Sequence, residues 1–157
     1  MNRIAKGGAI VAMATAFIGA AEGLSLLAYP DPATRGAPWT ICYGHTGNVK
    51  PYQRDSIAQC KALLQADLAK TYAAGIEKCL SAKTLASMPD TRYVAALSLA
   101  YNIGVGGFCA SSVARDLNAG DVQAACDAFL LYNRAAGVVW SGLTTRRTEE
   151  RRLCLEG

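Results

Sequence analysis

The sequence predicts an α+β fold: a small β-containing lobe and a mostly helical lobe, joined by a long helix. Three observations carry this reading. Turn and strand signals are concentrated in residues 26–50, where Pro30, Pro32, Gly36, Pro38, Gly44 and Gly47 punctuate the chain. Between Asp55 and about Cys79, the apolar positions Ile57, Leu63, Leu64, Leu68, Tyr72 and Ile76 recur near helical spacing. The rest of the chain reads as shorter helices with their caps and corners. A length of 157 residues suffices for one domain with a sizeable core and is too short for two ordinary ones.

Composition narrows the function. The chain is 52% hydrophobic and 18% charged, a globular balance tilted by many alanines. Its net charge of +4, with Arg146, Arg147, Arg151 and Arg152 near the end, favours an anionic partner. No basic stripe interleaved with aromatics and no nucleic-acid motif is present, so nucleic acid is not expected as a partner. An anionic bacterial envelope fits the same charge. Cys42, Cys60, Cys79, Cys109, Cys126 and Cys154 form an even set with no C-x-x-C pair and a single histidine in the chain. That argues against a metal site and for disulfides in an oxidising compartment. Six cysteines allow fifteen connectivities, and sequence alone does not choose among them. Pairing of neighbouring elements gives Cys42–Cys60, Cys79–Cys109 and Cys126–Cys154 as the expectation.

In chain order, Arg3 and Lys6 precede an uncharged run over residues 7–21. A basic start followed by about 15 apolar positions has the layout of an export signal. As a helix it would span about 22 Å, short of the ~30 Å hydrocarbon core. Residues 1–21 therefore read as an export segment or as the first helix of the fold, and residues 22–157 as the domain proper.

Residues 22–45 read EGLSLLAYPDPATRGAPWTICYGH and hold the candidate chemistry. Glu22 follows apolar residues, whereas Asp31 sits between two prolines in a turn that keeps it solvated. Two carboxylates in unlike settings are the minimum kit for glycosidic cleavage, one acting as general acid and the other serving water or charge. Residues 39–43 are the best strand candidate, and a small antiparallel hairpin would bring Asp31 and Thr40 onto facing segments. His45, the only histidine, is expected to be structural, paired to Asp67 on the following helix.

Asp55 or Ser56 can cap that helix. Residues 81–90 read as a loop closed by Pro89. Residues 92–102 form an apolar helix that ends in the glycine-rich corner IGVGGF. With no Lys-Ser or Lys-Thr following and no strand preceding, this corner is not a phosphate loop. Gly120 and Asp121 suit a helix stop and the next helix start. Residues 121–131 are expected to be helical, and Arg146 and Glu150 are expected to pair on the solvated face of the last helix.

Glu-Gly-Leu, Tyr-x-Asp and Thr-Ile-x-x-Gly-His resemble the catalytic stretch of the phage-type lysozymes, with supporting similarity in the Tyr-Asn-x-Gly corner and the final Arg-Arg-x-x-Glu. The resemblance implies a lysozyme-like fold and an endolysin that hydrolyses β-1,4 bonds between N-acetylmuramic acid and N-acetylglucosamine in peptidoglycan, without cofactor. It implies Glu22 as general acid, Asp31 and Thr40 as the groups handling water, and Tyr101, Asn102 and Ser111 beside the saccharide groove; the alternative reading makes Tyr101 a core residue and Ser111 a helix cap. Eight residues separate Asp31 from Thr40 where the family usually has five. The family also includes signal-arrest-release members, which implies export to the host periplasm, a transient inner-membrane tether through residues 1–21 and a monomer after release. A lytic transglycosylase and a catalytically inactive peptidoglycan-binding module are the alternatives.

Overall fold

The computed structural model describes residues 1–157. Its first helix, α1, runs Ala9–Glu22. Ile10, Ala14 and Ile18, spaced by four, face inward, and Gly23 at φ 75° ends the helix with its N–H on the Gly19 carbonyl. The residues ahead of α1 are anchored as well. Ile4 is buried, Asn2 donates to the Ala69 carbonyl (2.7 Å), and Arg3 pairs with Asp90 (3.0 Å) and covers the Tyr93 ring. No helix of the structure is long and apolar enough to cross a membrane.

Strands β1 (Ser25–Tyr29) and β2 (Thr40–Cys42) pair antiparallel, with Ser25 opposite Cys42 and Tyr29 opposite Thr40. Further bridges tie Leu27 to Arg54 and Ile41 to His45. The lobe they form has its own small core of Ala28, Ile41, Cys42 and Cys60.

The long helix begins as α2 (Ile57–Asp67), passes through a π-helical segment (Leu68–Ala73) and finishes as α3 (Ala74–Cys79). Ser56 and Gln59 form a full capping box at its start. Its buried residues Cys60, Leu64, Leu68, Ala73 and Ile76 show why the wide turn is needed. The step from Leu68 to Ala73 is five residues, and only a π turn keeps both on the inward face.

Residues 81–90 are not a plain loop. Ser81 caps a short helix, α4 (Ala82–Ser87), by accepting the Thr84 N–H. Helix α5 (Asp90–Ile103) is central, and every residue from Arg92 to Ala100 is buried. Helix α6 (Val105–Cys109) packs against it, and α7 (Ser112–Ala119) and α8 (Val122–Ala128), which follow, pack on each other. Gly120 stops α7 at φ 79° and Asp121 caps α8. The helix expected over 121–131 ends early, its last residues Phe129–Leu131 tightening into a 3-10 turn. A two-residue hairpin, β3 (Arg134–Ala135) with β4 (Val138–Val139), follows and was too short to register as alternation. Helix α9 (Ser141–Leu155) closes the chain against α5. Disulfides join Cys42 to Cys60, Cys79 to Cys109 and Cys126 to Cys154. Each links neighbouring elements, and the last staples α8 to α9.

Candidate active site

Glu22 is the last residue of α1 and lies where the two lobes meet. Its side chain is 21% exposed, and its Oε1 accepts a hydrogen bond from Arg146 Nη1 at 2.5 Å. Its Oε2 faces the backbone at Gly44, a left-handed position (φ 85°) where a Cβ would sit 3.9 Å from both Glu22 Oε2 and the Tyr101 hydroxyl. Glycine here supplies the left-handed backbone of the tight turn between Ile41 and His45.

Asp31 follows β1 by two residues, and the pairing of Tyr29 with Thr40 sets the turn holding Asp31 beside the start of β2. The turn is held locally: Asp31 Oδ1 accepts the Ala33 N–H (2.7 Å), and the Asp31 N–H donates to Gly36 O (3.0 Å). Asp31 and Thr40 are both half-buried.

His45 Nδ1 lies 2.6 Å from Asp67 Oδ2, and its Nε2 lies 2.8 Å from Gly47 O. Both ring nitrogens are therefore committed, which fixes the loop to the end of α2. A cavity of ≈ 270 Å³ opens here, lined by His45, Asp67 and Thr71 together with Gly44, Tyr72 and Tyr101.

A match to the phage lysozyme family model covers residues 19–150. The chain belongs to the phage lysozyme family. Among relatives, a SAR-endolysin of Enterobacteria phage P21 is 39% identical over 163 aligned positions, spanning 98% of this chain and 92% of that one. Among solved structures, the muramidase domain of SpmX from Asticaccaulis excentricus superposes with a TM-score of 0.81 at 28% identity, covering 91% of this chain and 95% of that one. The active form of P1 phage endolysin Lyz gives 0.79 at 27% identity, over 98% and 89%.

In this phage lysozyme the three residues expected at the saccharide groove have unlike surroundings. Tyr101 packs on Tyr72 with ring centroids 4.6 Å apart and donates to the Tyr43 carbonyl (2.5 Å). Burial, then the nearby Glu22 and Asp67 carboxylates, push its hydroxyl well above the ordinary tyrosine value. Asn102 is exposed, and its Oδ1 accepts from Arg147 Nη1 (2.9 Å). Ser111 is 3% exposed and caps α7 by accepting the Ala114 N–H at 3.1 Å.

The larger correction concerns α9. Arg146 and Glu150 do not pair on a solvated face. Their side chains are 8% and 0% exposed, and Arg147 is 0% exposed. Glu150 takes ion pairs from Arg147 (2.6 Å) and Arg146 (3.3 Å) and a hydrogen bond from the Ser98 hydroxyl (2.6 Å). Burial pushes its carboxyl above the ordinary glutamate value, while Arg147, Ser98 and Arg146 pull it back. A signal for this existed in the sequence. Counting back from Cys154, whose disulfide must face α8, by four and by seven reaches Glu150 and Arg147 on the same inward stripe.

Proposed function

We propose that the enzyme cleaves its substrate with Glu22 as general acid, while Asp31 and Thr40 hold the attacking water on the opposite side of the sugar. The substrate and bond are those of the family: the enzyme hydrolyses the β-1,4 link between N-acetylmuramic acid and N-acetylglucosamine in peptidoglycan. Protonated Glu22 gives its proton to the leaving oxygen as the glycosidic bond breaks. Asp31 stabilises positive charge developing on the ring and accepts a proton from the water that adds to the anomeric carbon. The observation that carries this reading is the meeting of Glu22, at the end of α1, with Gly44 and Tyr101 beside it, while the β1–β2 register brings Thr40 next to the Asp31 turn. Arg146 occupies one carboxyl oxygen of Glu22 and so orients the other.

The same reading includes export to the host periplasm, transient inner-membrane association through residues 1–21, and a monomer thereafter. The basic start, the uncharged run over 7–21 and the SAR-endolysin relatives support it. In the folded domain this segment supplies α1, whose final residue is Glu22. A tether that holds α1 in a bilayer would thus withhold the catalytic acid.

The test compares oxidised wild type with Glu22→Gln on outer-membrane-permeabilised Gram-negative cells, following turbidity and the mass of released fragments. Clearing by wild type alone, with reducing-end muropeptides, is the expected outcome. Anhydro products would make the enzyme a lytic transglycosylase. Cell-wall binding by both proteins without clearing would make it a binding module.

A further inference from the structure

Three of the polar residues that the fold buries completely, Ser98, Arg147 and Glu150, belong to one cluster behind Glu22. Burying charge is costly unless it is paired and hydrogen-bonded. A pair meant only to join α9 to α5 could be replaced by apolar side chains of similar volume. This cluster instead leads to the active site. Glu150 contacts Arg146 Nε at 3.3 Å, and the same guanidinium donates through Nη1 to Glu22 and through Nη2 to the Ser98 carbonyl (3.2 Å) and hydroxyl (3.3 Å). Arg147 holds Glu150 from the other side and is itself fixed by Asn102 Oδ1 and the Tyr132 carbonyl (3.2 Å).

We infer that Glu150 is a positioning residue for catalysis: it clamps the Arg146 guanidinium against Ser98, and through that guanidinium it sets both the orientation of the Glu22 carboxyl and the charge that carboxyl faces. Arg146 alone, a flexible cation at the cleft, would neutralise Glu22 in whatever geometry its side chain adopted. With Glu150 and Ser98 behind it, the guanidinium has one geometry, and its charge is offset by a carboxylate one guanidinium's width from Glu22. The ionisable groups near Glu22 are Arg146 and Arg147 from α9, Tyr101 from α5 and Tyr72 from the π segment; Glu150 contacts Arg146, and Asp67, paired with His45, acts on the same two tyrosines. Among these, Glu150 is the anion in direct contact with the cation that Glu22 touches.

The inference rests on Glu22 being the general acid, so Glu22→Gln is run beside Glu150→Gln. The latter keeps the shape and removes the charge. Both are assayed on purified peptidoglycan for kcat and KM, with the fold checked by near-ultraviolet circular dichroism. For Glu150→Gln, kcat is expected to fall roughly 10-fold with KM little changed, because a misplaced reacting group costs turnover more than binding. A folded Glu150→Gln with wild-type kcat would overturn the inference, even with Glu22→Gln inactive. Activity retained by Glu22→Gln would instead overturn the assignment of the acid itself. Where Glu150→Gln does not fold, Ser98→Ala decides. It removes the hydroxyl shared by Glu150 and Arg146, so reduced kcat at constant KM supports the inference and wild-type kinetics overturn it.

Discussion

Gly75 offers the sharpest test of how tightly the long helix is fitted to the rest of the enzyme. It lies in α3, and an added Cβ would stand 2.6 and 2.7 Å from the two γ carbons of Val105 and 3.2 Å from its Cβ. Carbon atoms pack at about 3.5–4.0 Å, so Gly75→Ala creates an overlap near 1 Å on a β-branched side chain that has no easy rotamer to escape into. Helix α6, which begins at Val105, cannot simply back away, because the Cys79–Cys109 disulfide joins the far ends of α3 and α6. Overpacking of this kind costs about 1–3 kcal/mol, and the rigid setting places the cost toward the top of that span. Against it, alanine gains about 1 kcal/mol over glycine inside a helix. The net expectation is a loss of about 1–2 kcal/mol, or about 3–6 °C in Tm for a chain of this size. Thermal unfolding under oxidising conditions measures it. Adding Val105→Ala removes the clashing atoms, so the double variant should recover more than the two single effects predict, with a coupling of about 1–2 kcal/mol. A Gly75→Ala protein that melts above wild type, or effects that simply add, would refute the packing argument.

Three other outcomes are expected. Ser56→Ala removes half of the capping box at the start of α2 and should cost about 1 kcal/mol in thermal unfolding. Replacing Cys126 and Cys154 by serine releases a link across 28 positions and should cost about 3 kcal/mol, freeing α9 from α8 and exposing the interlobe cluster to faster hydrogen exchange. Burial raises the hydroxyls of Tyr72, Tyr93 and Tyr101 above the ordinary tyrosine value. The unfolded chain therefore gives up these protons first, so stability falls as pH rises through about 10. Absorbance titration of the folded proteins should show one fewer late-ionising tyrosine in Tyr93→Phe and in Tyr101→Phe than in wild type.

The features legible in the sequence are those decided by near neighbours in the chain. Ser56 three residues before Gln59 specifies a helix start, and Gly120 before Asp121 specifies a stop and a new start, because the atoms that satisfy each cap lie within one turn. In the stretch from Glu22 to His45, the two carboxylates and Thr40 stood out as candidates through short motifs, Glu-Gly-Leu, Tyr-x-Asp and Thr-Ile-x-x-Gly-His, each spanning only a few residues. The His45–Asp67 contact, although it crosses 22 positions, was within reach because the chain has one histidine and the next helix begins soon after it. Only the tertiary structure decided which face of α9 is buried. Arg146 meets Glu22 across 124 positions and Arg147 meets Asn102 across 45. Whether a charged side chain is solvated or buried depends on partners that no local window contains. The same holds for Ser111, whose burial follows from the packing of α6 and α7, and for the π turn, needed only because Leu68 and Ala73 must both reach one core. Local preference wrote the elements, and the cost of leaving a buried charge unpaired chose how they came together.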